Sequence, residues 1–446
     1  MAFPFPDAVA LNTNNVLLTL GGILILGGLA ELGFERYKIP ESVGLMLLGM
    51  LLGPVTHVIP AADLSVFRGL APVFGAIALV VIVFGGGIRL DLASLRGVGG
   101  RGAILALADT GLTILVIGPV GYFLLHWSLG ISVLFGALLG ETTAAVVIPV
   151  AQDLGIEKST VDLLTLNSTL NSISCIVAFY VALDAISQTG GSLSFIGGAD
   201  YVGRLILLGA LIGGASGAAW VFVLDRVRRA SFYRMTLGLV VLVYAISGAA
   251  GSSSVLAILV FSVIVGNYWV HLSEHPLEYS GGPEELDKQL TSIAFLDKEV
   301  TFIVKSFFYV FIGLLVTPSV TFALWGLGIS LLLLVPRAAG VFAVSIGRSD
   351  LKRRRLVMTI LYPRGLTVSV LAGILVNTLA TPPLSTYAGY IFNSAFMVIL
   401  FSTLISGALI AVEHRNSRKS LRVTINPFDD LAICSGDGCT GDPKKL

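Results

Sequence analysis

Residues 130–151 read GISVLFGALLGETTAAVVIPVA, and residues 356–376 read LVMTILYPRGLTVSVLAGILV. Each stretch is long and apolar enough to cross a bilayer. Each is also interrupted near its middle, the first by Gly140-Glu141-Thr142-Thr143 and the second by Tyr362-Pro363-Arg364-Gly365-Leu366-Thr367. Such breaks free backbone groups that lipid cannot satisfy, so they must face protein or a water-filled cavity. Interrupted spans in matching positions of two halves point to a binding site between them.

The composition places the whole chain in a membrane. Of 446 residues, 55% are hydrophobic and 12% are charged, and the mean hydropathy is +0.91. These values exclude a soluble enzyme and a nucleic-acid-binding protein, and no feature of the sequence calls for a cofactor. We predict an all-α polytopic protein with about 13 transmembrane helices, in the runs 15–34, 41–60, 70–88, 102–125, 130–151, 162–186, 203–224, 234–250, 253–270, 300–317, 323–346, 356–376 and 387–412.

The distribution of basic residues supports this count independently. If the N-terminus lies outside, 23 of the 28 Lys and Arg residues fall in loops or the tail on the inner side. Only Arg68 and Arg204 fall in outer loops. Because Lys and Arg collect on the cytoplasmic side, the asymmetry predicts a cytoplasmic C-terminus. With no organelle signal visible, we expect the plasma membrane.

The runs divide into two sets of six around one linker helix. We predict an extracytoplasmic N-terminus at 1–14, a transmembrane domain at 15–412 and a cytoplasmic polar tail at 413–446. Within the domain, repeat one covers 15–186, the linker helix 203–224 and repeat two 234–412. Because the linker itself crosses the membrane, equivalent helices run in opposite directions, and the repeat is inverted. The alternative is that the interrupted runs are ordinary glycine-rich packing helices.

Few ionisable residues lie inside the runs, and each needs a partner or a purpose in lipid. Glu141 stands beside two hydroxyls, so it can hold a proton or a monovalent cation, or it can pair with an arginine. Asp109 is either a proton relay or one half of an ion pair. The remaining candidates are charge partners. The side chains of Arg364 and Arg337 can each donate to carbonyl groups that a break leaves free. The long side chain of Lys305 can place its charge at the inner membrane interface.

The sixth run carries a polar stripe. Asn167 and Asn171 are four residues apart and share one helix face, with Ser168 and Ser172 beside them. The stripe can hydrogen-bond neighbouring helices, or it can line a cavity next to Glu141. We therefore predict an ion and proton site from Glu141, Thr142, Thr143, Asn167, Asn171 and Ser172, of which Glu141, Thr142 and Ser172 would contact a monovalent cation.

At these residues the chain resembles the monovalent cation/proton antiporter superfamily, close to the sodium/proton exchangers. The motifs that carry the likeness are Pro40-Glu41-Ser42-Val43-Gly44, Gly49-Met50-Leu51-Leu52-Gly53-Pro54, Phe84-Gly85-Gly86-Gly87-Ile88, Phe311-Ile312-Gly313-Leu314 and Arg364-Gly365. The resemblance implies a dimerisation domain, a moving core domain, crossed interrupted helices around a midplane ion site, and a homodimer.

The sequence departs from that family at the usual ion-binding position. Where typical members carry a Glu and an Asp on the sixth helix, this chain has Asn167 and Ser172. The carboxylate has moved to Glu141, and Arg337, which pairs with the missing glutamate in typical members, is then expected to turn to Glu141. The sequence predicts electroneutral exchange of Na⁺, Li⁺ or K⁺ for protons. Alternatives are an anion or other solute carrier on the same fold, or a member that senses without transporting.

Overall fold

A computed structural model describes most of the chain. The described residues are 21–22, 24–29, 32, 41–56, 61–88, 90, 92, 99–154, 156–189, 195–227, 232–274, 299–304, 306–378 and 384–424. Within these ranges the chain forms helices and short connections, with no β-strand. Lys305 and the polar tail beyond residue 424 lie outside the described residues, as does the predicted N-terminal segment.

The helices are numbered in chain order. They are α1 (Glu41–Met50), α2 (Ala61–Ile88), α3 (Gly99–Pro119), α4 (Leu129–Leu138), α5 (Ala144–Asp153), α6 (Lys158–Thr189), α7 (Phe195–Val227), α8 (Phe232–Ala249), α9 (Ser254–Glu274), α10 (306–315), α11 (Val320–Leu332), α12 (Leu334–Val344), α13 (Ser349–Arg353), α14 (Arg355–Ile360), α15 (Leu366–Thr378) and α16 (Leu384–Thr424). Two π-helical turns, Leu51–Val55 and Val120–Leu124, extend α1 and α3.

The all-helical polytopic fold is confirmed. Six helical segments among the described residues are long and apolar enough to cross a membrane, and shorter apolar helices accompany them. The predicted linker run at 203–224 lies inside α7 (Phe195–Val227), and the predicted sixth run at 162–186 lies inside α6 (Lys158–Thr189). The full count of thirteen spans stays a prediction, because parts of the chain fall outside the described residues.

Both predicted interruptions are present. Residues 139–143 separate α4 from α5, and residues 361–365 separate α14 from α15. The second break ends earlier than the sequence indicated, because the N–H of Ser369 already donates to the carbonyl of Gly365 at 3.2 Å and so starts the helical ladder. Thr367 is therefore a helical residue in the first turn of α15.

Two groups of helices form the molecule. In one group, α3 packs against α4, α6 and α12, and α5 packs against α6. In the other group, α9 packs against α2, α7 and α8. The helix α15 lies against both α16 and α2. The two interruptions contact α3, α6 and α16 through Thr110, Ser172 and Ser402, and many of the buried polar side chains lie in this part of the structure.

A glycine contact between two helices occurs twice in the structure. On α1, a Cβ at Gly49 would overlap the backbone of Val310 on α10. On α9, a Cβ at Gly266 would overlap the backbone of Ile88 at the end of α2. In the predicted repeats, α1 and α9 are the second helices and α2 and α10 are the third, so the second helix of each repeat packs on the third helix of the other.

Candidate functional site

The two interruptions cross in backbone contact. The N–H of Thr143, in the first break, donates to the carbonyl of Pro363, in the second, at 2.9 Å. A Cβ at Gly365 would lie 2.5 Å from the Cβ and the Oγ1 of Thr143. Only glycine allows this approach, so residue 365 fixes how closely the two interrupted helices cross.

Arg364 satisfies the carbonyl groups that the first break leaves free. Its Nη1 donates to the carbonyl of Gly140 at 3.1 Å, to the carbonyl of Glu141, and to the hydroxyl of Thr142 at 3.2 Å. Its own backbone N–H donates to the hydroxyl of Ser402 on α16 at 3.1 Å. The guanidinium thus sits at the carboxyl end of α4, where the helix dipole favours a positive charge.

The Glu141 side chain reaches across the crossing to the second interruption. It is 2% exposed, and its Oε2 accepts from the N–H of Gly365 at 3.1 Å. Its Oε1 lies 3.4 Å from the hydroxyl oxygen of Ser172 on α6, and the hydroxyl of Thr367 also interacts with the carboxylate. The negative charge therefore lies at the amino end of α15, which attracts anionic groups.

The expected pairing of Arg337 with Glu141 is wrong. Arg337 on α12 instead forms a buried ion pair through Nη1 with Oδ2 of Asp109 on α3, and its Nε donates to the carbonyl of Met358 at 3.0 Å. Asp109 is the nearer carboxylate because α12 packs directly on α3, where a Cβ at Gly340 would lie 3.1 Å from the other Asp109 oxygen. Among the described residues, no basic side chain is bonded to the Glu141 carboxylate.

The polar stripe of α6 is divided between two neighbours. Asn171 accepts a 2.7 Å hydrogen bond from the hydroxyl of Thr110 on α3. The Asn167 amide lies beside Asp109 but makes no hydrogen bond of good geometry within the described residues. Ser172 lies beside Glu141 and also donates to the carbonyl of Ser168 at 3.0 Å. The structure therefore brings Ser172 to Glu141, while Asn167 and Asn171 contact α3.

Buried polar atoms without a hydrogen-bond partner concentrate in this region. Within the described part of the chain they include Oδ1 of Asp109, both amide atoms of Asn167, Oγ of Ser168, Nδ2 of Asn171, Nη2 of Arg337, the hydroxyl of Tyr362 and Nε of Arg364. Buried polar groups in native proteins nearly always bond protein, water or an ion. The region is therefore chemically suited to hydration and to a small polar ligand.

The groups available to a cation are one carboxylate and neighbouring hydroxyls. The hydroxyls of Ser172 and Thr367 lie beside the Glu141 carboxylate. The hydroxyl of Thr142 already accepts from Arg364, and the side chain of Thr143 packs against Gly365. No three His, Cys, Asp or Glu side chains come together among the residues that the structure describes. Oxygen ligands of this kind suit hard cations rather than transition metals.

Several groups at the site did not stand out in the sequence. The N–H of Gly365 is a backbone donor, and its role depends on the crossing itself. Thr367 was part of the second break, but its spacing gave no sign that it lies near Glu141. Ser402 lies within the long apolar helix α16, where nothing in the local sequence marks it. Thr110 follows Asp109 directly, and that adjacency is the only signal it gave.

Crossed interrupted helices around a buried carboxylate, in a chain of apolar helices, define an integral membrane transport protein. Residues 21–412 match the family model for the transmembrane part of sodium/hydrogen exchangers. The chain belongs to this sodium/hydrogen exchanger family.

Individual relatives agree with the family and differ in length. The Na⁺/H⁺ antiporter 1 of Methanocaldococcus jannaschii is 24% identical over 422 residues, which cover 87% of this chain and 92% of the relative. The K⁺/H⁺ antiporter NhaP of Alkalimonas amylolytica is 26% identical over 275 residues, covering 57% of this chain but only 44% of that protein. Alignment with the K⁺/H⁺ antiporter NhaP2 of Shewanella oneidensis covers 82% of this chain and 64% of the relative, at 24% identity.

A solved structure shares the fold. The sodium proton antiporter MjNhaP1 of Methanocaldococcus jannaschii, determined at pH 8, superimposes with a TM-score of 0.74. The match covers 89% of this chain and 97% of that protein at 21% sequence identity. At this identity the comparison establishes the arrangement of the helices.

Proposed function

We propose that this protein is a secondary antiporter that exchanges a monovalent cation for a proton by alternating access. The observation that carries the proposal is the Glu141 carboxylate, which is buried at the crossing and, among the described residues, bonded to no basic side chain. A carboxylate that is not itself bonded to a basic side chain can hold either a proton or a cation, but not both. That competition is sufficient to couple the two fluxes.

The neighbours of Glu141 suit both occupants. The N–H of Gly365 stabilises the ionised carboxylate, which a cation requires. The hydroxyl of Ser172 donates to the carbonyl of Ser168, so its lone pairs remain available to a cation held by Oε1. Thr367 offers a second hydroxyl from the opposite repeat.

The charges around the site favour electroneutral exchange. Asp109 and Glu141 balance Arg337 and Arg364, so one proton or one monovalent cation on Glu141 adds the same charge. One-for-one exchange then moves no net charge. The anion-carrier alternative rests on an excess of positive charge in the core and on helix amino ends that attract anions. Asp109 compensates Arg337, and the Glu141 carboxylate already lies at the amino end of α15, so the described charges do not favour it.

The orientation and assembly belong to the same proposal. The basic loops support an outer N-terminus, a cytoplasmic C-terminus and insertion in the plasma membrane. The likeness to the family supports a homodimer, with repeat one at 15–186, a linker at 203–224 and repeat two at 234–412. The relatives are named as Na⁺/H⁺ and K⁺/H⁺ antiporters, so sodium and potassium are the first ions to test.

The experiment uses purified full-length protein in vesicles with an imposed pH gradient and a lumenal pH dye. Sodium, lithium, potassium or chloride is added in turn to wild type, Glu141→Gln and the control Glu157→Gln. Glu157 is exposed and lies immediately before α6, so the control substitution removes a carboxylate without changing any residue at the crossing.

We expect a cation to dissipate the gradient for wild type and Glu157→Gln and to have no effect with Glu141→Gln. Clamping the membrane potential with an ionophore should leave the initial rate unchanged. A response to chloride alone, or equal rates for wild type and Glu141→Gln, contradicts the proposal.

A further inference from the structure

Residues 345–355, which join α12 to α14 and include the first residue of α14, carry five basic residues in eleven positions. We call this segment the basic turn. Three of its side chains, Lys352, Arg353 and Arg354, are consecutive and exposed. Leu351, directly before them, is 3% exposed and packs into the core, so it anchors the short helix α13 and holds the three charges at the surface.

The other two basic side chains of the turn are already engaged. Arg348 forms hydrogen bonds with Asp350, including one of 3.1 Å from Nη2 to Oδ2. The Arg348 guanidinium holds the pKa of the Asp350 carboxyl below its usual range, so this pair stays ionised near neutral pH. Arg355 donates from Nε to the hydroxyl of Ser345 at 2.5 Å, and its guanidinium lies 4.4 Å from the ring centre of Phe342.

Exposed apolar side chains lie at both ends of the basic turn. Phe342, Ile346 and Leu356 are 58%, 59% and 60% exposed. Phe342 lies near the end of α12, Ile346 lies two residues after that end, and Leu356 lies in the first turn of α14. The surface thus pairs an exposed apolar rim with three positive charges that form no ion pair within the described part of the chain.

We propose that the basic turn binds the headgroup of an anionic phospholipid, through Lys352, Arg353 and Arg354. Charge complementarity identifies the ligand, because an anionic phosphate suits the three cations. The apolar rim selects a membrane lipid over a soluble anion, because Phe342, Ile346 and Leu356 can contact the acyl chains. Clusters of Lys and Arg next to a transmembrane helix attract anionic lipids by about 1 kcal/mol per residue.

This site is separate from the ion site, and its test does not depend on which ion is carried. The basic turn nevertheless follows α12, the helix that carries Arg337 and packs on α3. A lipid held there contacts the helix group that contains the crossing.

The test is native mass spectrometry of the full-length protein in detergent, titrated with phosphatidylglycerol or with phosphatidylcholine of the same acyl chains. The variants are Lys352→Gln/Arg353→Gln/Arg354→Gln and the control Arg348→Gln, whose charge Asp350 already compensates. We expect wild type to retain phosphatidylglycerol in preference to phosphatidylcholine. The triple variant should lose on the order of a hundredfold in affinity, and Arg348→Gln only a few fold.

Thermal unfolding and the salt dependence of lipid binding provide two further tests of the proposal. Thermal unfolding in phosphatidylcholine should be the same for all variants, because the changed side chains are exposed. Raising the salt from about 50 mM to about 500 mM should weaken binding of phosphatidylglycerol to wild type by at least tenfold. Equal binding of the two lipids to wild type, or full binding by the triple variant, overturns the proposal.

Discussion

The backbone N–H of Gly365 donates to the carboxylate of Glu141 across 3.1 Å, so a residue of the second interruption holds the charged group of the first. The contact places the carboxylate at the amino end of α15, while Arg364 places its guanidinium at the carboxyl end of α4. Each charge therefore meets the helix end whose dipole it complements. A change that separates the two interruptions should alter the site and the crossing together.

Gly365→Ala should strongly reduce transport. The added Cβ would lie 2.5 Å from two side-chain atoms of Thr143, so the crossing must open. Overpacking of this kind destabilises a core by about 1–3 kcal/mol. Initial transport rate and thermal unfolding measure both effects. The double variant Gly365→Ala/Thr143→Gly removes the clashing atoms and should recover stability; failure to recover contradicts a steric origin.

Moving the carboxylate back to α6 should rescue a variant that lacks it. Glu141→Gln removes the charge, and Ser172 lies 3.4 Å from the same carboxylate. Glu141→Gln/Ser172→Asp therefore restores one negative charge close to the original point. We expect partial cation-dependent proton flux in the double variant and none in Glu141→Gln. Glu141→Gln/Thr169→Asp serves as the matched control. Thr169 lies on the same helix as Ser172, but among the described residues its hydroxyl bonds the carbonyl of Thr165 and not Glu141.

Arg364→Lys should impair transport although it conserves the charge. Lys ends in a compact ammonium on a shorter side chain, so it does not reach the position from which Nη1 of Arg364 bonds the carbonyls of Gly140 and Glu141. A buried carbonyl left without a partner destabilises a protein by about 1–3 kcal/mol. We expect a lower unfolding temperature and at least a tenfold lower rate. Arg353→Lys, on the exposed basic turn, should leave both quantities unchanged.

The ion pair of Asp109 and Arg337 should behave as a unit. Asp109→Asn or Arg337→Met alone leaves a buried charge uncompensated, and the loss of one partner destabilises a protein by about 3–5 kcal/mol. The double variant Asp109→Asn/Arg337→Met removes both charges and should recover much of that stability. Chemical unfolding of all three variants gives the coupling free energy. Additive losses would mean that the pair does not stabilise the fold jointly.

The repeated glycine contact gives a packing prediction. Gly49→Ala and Gly266→Ala each place a methyl group against the backbone of a neighbouring helix, so each should lower the unfolding temperature. Gly328→Ala, within α11, adds a methyl group that meets nothing within 4 Å. It should be neutral or slightly stabilising, because alanine favours a helix over glycine. A loss of stability in Gly328→Ala equal to the others would contradict the packing argument.

The sequence by itself determined the class of fold, because a helix in lipid must bond its own backbone and carry apolar side chains along its length. The two breaks were visible for the same reason, since glycine, proline and charged residues are unfavourable there unless a site uses them. Glu141, Arg364 and the polar stripe were identified on these grounds.

Only the tertiary structure decided which charges meet. The sequence could not show that α12 packs on α3 and so gives Arg337 to Asp109 rather than to Glu141. Nor could it show that Thr367 and the N–H of Gly365 lie beside a carboxylate more than two hundred residues away. The local sequence pattern shows which residues are unfavourable in lipid. Hydrogen bonds and ion pairs, however, depend on distances of a few ångströms between helices, and only the packing of the helices sets those distances.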